Sequence, residues 1–251
     1  ISMNDKHSNH IKAFLEYSRR TAADLLFPRR CPVCGGVAMP KGRLICPACL
    51  KQLSFVSSPA CMKCGKEIGS RDQEYCADCI RRKKSFTRGF ALLNYDSRAA
   101  VSMAAVKYHN KREYLDFYAR AAALRFEKQF RQAGIQVIVP VPVHASRLKT
   151  RGFNQAAVLA ERLSTELEIP WEELLIRVKK TDPQKSLGSA ERLKNLRGAF
   201  EAEQKAGKWE RVLLVDDIYT TGSTAEICSR ALLKTGVKQV FVFAVCIGHG
   251  A

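Results

Sequence analysis

The chain has 251 residues, enough for one large domain or two modest ones. Its 46% hydrophobic content is ordinary for a globular protein, and no stretch carries the ~20 apolar residues of a membrane-crossing helix. A formal charge of +18 predicts affinity for polyanions: nucleic acid, an anionic membrane face or phosphorylated ligands.

Ile1-Ser2 ahead of Met3 read as a leftover of expression and are set aside. The polar start shows no secretory leader, so a reducing cytoplasm is expected, which favours thiolate–metal sites over disulfides. Residues 1–27 form an N-terminal segment whose His10–Phe27 stretch has helical spacing at Ile11, Phe14, Leu15, Ala22, Leu25 and Leu26. Pro28 ends it, and its apolar side suits packing onto the body.

Residues 28–85 hold eight of the 10 cysteines, in four Cys-x2-Cys pairs: Cys31/Cys34, Cys46/Cys49, Cys61/Cys64 and Cys76/Cys79. Each pair is separated from the next by eleven residues. Two intervening residues let both thiolates reach one ion, and a second knuckle completes a tetrahedron, so two structural zinc ions are expected. Gly35 and Gly65 follow knuckles, where positive φ is needed. Four thiolates per ion leave no position for substrate. Sequential pairing closes short loops, while an interleaved pairing and an iron–sulfur centre stay open. Arg81-Arg82-Lys83-Lys84 reads as a solvated linker or, more sharply, as a phosphate-contacting patch.

Residues 86–251 alternate strand and helix. Strands are expected at Gly89–Tyr95, Ile135–Val143, Arg211–Val215 and Val237–Val245. Helices are expected at Ala99–Tyr108, Glu113–Ala133, Asn154–Leu167 and Ser223–Thr235. Arg177–Lys194, polar with Pro183 and Gly188, reads as a mobile loop. Near-continuous apolar strands in β–α alternation argue a parallel sheet covered by helices. Cys228 and Cys246 read as small core residues.

The most informative stretch is Val212–Thr224. An apolar strand ends in Asp216 and Asp217, a turn with Thr220, Thr221 and Gly222 follows, and a helix begins with Ser223 and Thr224. At the C-terminal end of a parallel strand this makes a ligand crevice. Free amides at the helix start favour a phosphate, and the adjacent acids suit two neighbouring sugar hydroxyls. A simple helix cap needs only one such residue.

This segment resembles the phosphoribosyl-pyrophosphate (PRPP) motif of type I phosphoribosyltransferases, and the whole chain resembles the ComF family. The supporting stretches are Leu25–Pro28, Val106-Lys107-Tyr108, Val139–His144, Arg147-Leu148 and Arg151–Ala156, with Gln184, Arg192 and Asn195 later. The resemblance implies a zinc-ribbon module joined to a type I phosphoribosyltransferase-like parallel sheet flanked by helices. It implies that Asp216 and Asp217 bind ribose hydroxyls and that Thr220, Thr221, Gly222, Ser223 and Thr224 hold the 5-phosphate. Val143 and His144 would face the pyrophosphate, with Lys107, Arg147 and Arg151 as its basic contacts. Mg²⁺ would bridge pyrophosphate and ribose oxygens, and Arg192 would neutralise the leaving pyrophosphate. Asn110 stands before Lys111 where the family often has glycine, and Asn tolerates the left-handed geometry.

Three functions follow. ComF relatives are associated with natural transformation, which implies single-stranded DNA handling beside a helicase-like partner, with Phe55, Tyr75 and Phe86 as the aromatics near the cysteines. The second is transfer of ribose 5-phosphate from PRPP to an acceptor. The third is a zinc-ribbon scaffold for protein docking.

Overall fold

Four apolar runs become parallel strands, and the segments between them become the helices that cover the sheet. A computed structural model describes residues 28–178 and 198–248. The expected His10–Phe27 helix, and Gln184, Arg192 and Asn195, lie outside the described residues. In chain order the elements are β1 (Arg88–Asn94), α1 (Ser97–Tyr108), α2 (Tyr114–Gln132), β2 (Val137–Pro140), α3 (Ala145–Arg151) and α4 (Gln155–Leu167). They continue with β3 (Leu175–Arg177), β4 (Phe200–Ala202), β5 (Arg211–Tyr219), α5 (Ser223–Lys234) and β6 (Gln239–Ile247). The sheet order is β1-β6-β5-β2, with every pair parallel, and β3-β4 form a separate antiparallel pair.

The alternation of a strand sends successive side chains to opposite faces. Val212, Leu214, Val240 and Val242 share a buried core with Cys228 and Leu232 of α5. On the other face Phe243 meets Phe126 and Phe130 of α2, with ring centroids 6.0 and 6.3 Å apart. Helix α4 packs against α2, β2 and β5. Its start is tied to the end of β2: Asn154 caps it through the Ala156 amide at 3.0 Å and donates to the Val141 carbonyl at 3.1 Å.

Three expectations need correction. Strand β5 does not stop at Val215. Ile218 and Tyr219 continue to pair with Cys246 and Ile247 of β6, so both aspartates lie inside the strand. Strand β2 is shorter than Ile135–Val143, because the Ile135 amide still bonds the Phe130 carbonyl of α2 and the chain turns into α3 from Ala145. The α3 helix and the β3–β4 pair were not expected from the apolar pattern.

The chain divides into two compact units, residues 1–51 and 52–251. The first carries Cys31, Cys34, Cys46 and Cys49. The second carries Cys61, Cys64, Cys76 and Cys79 together with the sheet, so the division falls between the two cysteine groups rather than after both. The reason lies at β1, an edge strand. The Val56 amide donates to the Leu92 carbonyl at 3.0 Å, the Asn94 amide to Ser54 at 2.7 Å and the Gly89 amide to Lys63 at 2.6 Å. These bonds cover an otherwise open edge.

Gly65 sits in this contact with φ +78°, and a Cβ there would lie 2.8 Å from the Gly89 carbonyl oxygen. Gly65→Ala is therefore expected to lower stability by about 1–3 kcal/mol in urea unfolding. Gly69→Ala, in open space, should stay within about 0.5 kcal/mol of the parent.

Candidate functional site

The eight cysteines gather as Cys31, Cys34, Cys46 and Cys49 in one group and Cys61, Cys64, Cys76 and Cys79 in the other, with sulfurs in each group within 4.8 Å of one another. The pairing is sequential. The Cys64 and Cys76 sulfurs lie 3.7 Å apart. A tetrahedral ion with Zn–S of ~2.3 Å needs sulfurs about 3.8 Å apart. The residues therefore fit structural zinc at both places. Cys228 and Cys246 are fully buried in α5 and β6, as expected of core residues.

The C-terminal ends of the strands open into a cleft of about 990 Å³. Its rim brings together Lys107 and Tyr108 from the end of α1, Val143 from the β2–α3 turn, Arg147 and Arg151 from α3, and Asp216, Asp217, Thr220 and Thr224 from β5 and the loop after it. Arg112, Thr150 and Arg177 join them; sequence reasoning had not placed Arg112 or Thr150 and had read Arg177 only as the start of a mobile loop. A small hollow of about 20 Å³ beside it is lined by Asp216, Thr220, Gly222, Ser223 and Thr224.

The two aspartates point to opposite faces of β5. Asp217 is 4% exposed and goes under the ends of α1 and α4. Its Oδ2 pairs with the Lys107 ammonium, and its Oδ1 accepts from the Gln155 amide at 3.1 Å. Burial acts to raise its pKa, but the Lys107 charge and the hydrogen bonds outweigh this and hold it below the usual carboxylate range. Gln155 in turn accepts from Arg151, whose guanidinium lies 5.6 Å from the Tyr108 ring centroid. The chain Lys107–Asp217–Gln155–Arg151 thus fixes two of the expected basic contacts. Gln155 stands within the Arg151–Ala156 stretch but had been given no role.

Asp216 lies on the α5 face and opens toward the cleft and the hollow. Burial, then the neighbouring Asp217 charge, pushes its pKa well above the usual carboxylate range. Its Oδ1 accepts the Asp217 amide at 2.9 Å.

The loop after β5 turns at Gly222, with φ +73°, directly into α5. The Thr221 and Ser223 hydroxyls bond each other at 2.9 Å. His144 caps α3, between Val143 and Ser146 of the cleft lining. Its Nδ1 accepts the Ser146 amide at 3.1 Å. Asn110 adopts the left-handed φ of +54°, and Lys111 faces Glu113 at 3.8 Å. No described helix is long and apolar enough to cross a membrane.

Residues 22–80 match the double zinc ribbon domain family. Competence protein F of Haemophilus influenzae is 32% identical over 87% of this chain and 97% of its own length. The chain belongs to the ComF family. The ComF-family chain is also 28% identical to the DNA utilization protein YhgH of Escherichia coli over 80% of this chain and 89% of that one. Competence protein ComFC of Bacillus subtilis is 26% identical over 76% and 79%. Solved structures similar to it include an adenine phosphoribosyltransferase from Saccharomyces cerevisiae (15% identical, 57% and 74% covered, TM-score 0.35). A glutamine PRPP amidotransferase from B. subtilis is another (21% identical, 50% and 26% covered, TM-score 0.34).

The two aspartates give opposite pH signatures. Asp217, lowered, contributes stability that is present above about pH 4 and lost as pH falls through its folded value. Asp216, raised, contributes stability that is present below about pH 4 and lost as pH rises through its folded value. Asp217→Asn strands the Lys107 ammonium, whose side chain is 19% exposed, and is expected to cost about 3–5 kcal/mol at pH 7. Asp216→Asn should raise stability at pH 7. Denaturant titrations should show the Asp217→Asn difference shrinking as pH falls below about 4, and the Asp216→Asn difference shrinking as pH falls toward about 4.

Proposed function

We propose that this ComF-family chain binds PRPP with Mg²⁺ in the strand-end cleft and handles single-stranded DNA as a competence protein. The observation that carries the ligand reading is a single carboxylate, Asp216, held between two places suited to anions. On one side is the Thr220–Thr224 loop at the start of α5, where the first-turn amides and the helix dipole favour a phosphate. On the other side are Lys107, Arg147 and Arg151. PRPP has this order of groups: a phosphate, a ribose with vicinal hydroxyls and a pyrophosphate.

In this reading Asp216 accepts a ribose hydroxyl, and Asp217 orients Lys107 toward the pyrophosphate. Mg²⁺ would offset the pyrophosphate charge, with the protein supplying few direct ligands. The room in the cleft favours a second reading, transfer to an acceptor. Its volume of about 990 Å³ is at the upper end of the ~300–1,000 Å³ of small-molecule sites. Pyrophosphate release in the presence of an acceptor would support transfer, and binding without release would favour a regulatory site.

The DNA reading is supported by the charge of +18 and by the exposed Arg71, Arg81, Arg82 and Lys83 around the second cysteine group. The names of the relatives from H. influenzae, E. coli and B. subtilis agree with it. Tyr75 is 40% exposed, but Phe86 is buried and Phe55 partly so. Phosphate contact rather than stacking would carry the binding.

Thermal unfolding with Mg²⁺ and PRPP at ~100 times its dissociation constant should raise the Tm by roughly 5–11 °C. The shift should vanish in Asp216→Asn, which keeps the fold. No shift in the parent protein would reject the ligand reading. Binding of single-stranded DNA should weaken roughly 50-fold between 50 and 200 mM salt for about four phosphate contacts. Salt-independent or absent binding would reject the DNA reading.

A further inference from the structure

The run Arg81–Lys84 looks like a solvated linker, yet its last residue is not directed to water. The Lys84 ammonium donates to the Thr221 carbonyl, in the loop between β5 and α5, at 3.1 Å. Ser85 follows, and both its amide and its hydroxyl donate to Glu226 on the first turns of α5, at 2.6 and 2.7 Å. Glu226 is 2% exposed. Arg230 Nε also donates to it at 2.6 Å. A buried carboxylate is costly unless its oxygens are bonded, and here two of these donors come from the segment that leaves the second ribbon.

The next residue completes the contact. Phe86 is fully buried and meets the Tyr219 ring edge-on, centroids 6.4 Å apart. Tyr219 fills the space under Gly222, where a Cβ would fall 2.0 Å from the Tyr219 hydroxyl oxygen. Tyr219 and Phe86 belong to the same buried core as Cys61, Cys64 and Cys76. The loop is thus held from below by Tyr219 and from the side by Lys84.

We propose that Lys84 and Ser85 are positioning residues for the 220–224 loop, making the second four-cysteine ribbon a working part of the anion site. The peptide unit is planar and trans, so fixing the Thr221 carbonyl fixes the direction of the Gly222 amide. Lys84 also brings a positive charge to the loop. The consequence for PRPP rests on the reading of the cleft given above; the clamping itself does not.

The test is amide hydrogen exchange by mass spectrometry on the zinc-loaded full chain, comparing the parent with Lys84→Met, Lys84→Arg, Lys83→Met and Glu226→Gln. Zinc content is measured on each sample. Lys84→Met should speed exchange of the 219–226 peptide about fivefold, the effect of one lost hydrogen bond, with zinc content and the β2 peptide unchanged. Glu226→Gln should do the same. Lys84→Arg should restore slow exchange, and Lys83→Met should leave it as in the parent. Unchanged exchange of 219–226 in Lys84→Met would overturn the proposal. Adding Mg²⁺ and PRPP separates the two claims. No added protection of the 219–226 peptide by ligand in the parent sinks the PRPP reading, while a Lys84→Met effect without ligand keeps the clamp.

Discussion

Consecutive residues of a β-strand face opposite ways, and in β5 two of them are aspartates. Everything at the strand ends is arranged around that constraint. One carboxylate must enter the layer of α1 and α4, where water is excluded. It is tolerable there because Lys107 and Gln155 meet its two oxygens. The pair fixes the last turn of α1 and the first turn of α4, and through Gln155 it also fixes Arg151 of α3. The other carboxylate is then left on the α5 face, beside the loop that opens the helix. Two adjacent acids in sequence become one structural anchor and one open acceptor.

The second constraint is the edge of the sheet. Strand β1 has a partner on one side only, and the chain from Ser54 to Lys63 takes up its outer amides and carbonyls. This places the Cys61, Cys64, Cys76 and Cys79 group within the same core as β5 and α5. The Cys31, Cys34, Cys46 and Cys49 group belongs to the separate smaller unit. Two groups of one spacing thus have different structural settings. Zinc in the second would contribute folding energy to the larger unit itself.

Much of this is legible in the residues. The Cys-x2-Cys pairs announce tetrahedral metal sites because that spacing puts two sulfurs on one ion. Their pairing is not legible, since the eleven-residue gaps are all alike. The strand and helix runs around the sheet are visible in apolar spacing. The continuation of β5 is hidden because aspartates are depleted in strands and read as an end. Once the strand is extended, alternation alone separates Asp216 from Asp217. The destination of Lys84 has no local signal, because its acceptor lies 137 residues away. A charge run is ordinarily solvated, as Arg81 to Lys83 are, and Lys84 turns inward beside Ser85 and Phe86, which are held by the buried Glu226 and the core.

The most direct measurement is a structure of the zinc-loaded protein with Mg²⁺ and PRPP bound. The account predicts the 5-phosphate on the 220–224 loop, a ribose hydroxyl on Asp216, and Asp217 still bonded to Lys107 and Gln155. Ligand bound outside the cleft, or ribose on Asp217 with the Lys107 pair broken, would contradict it.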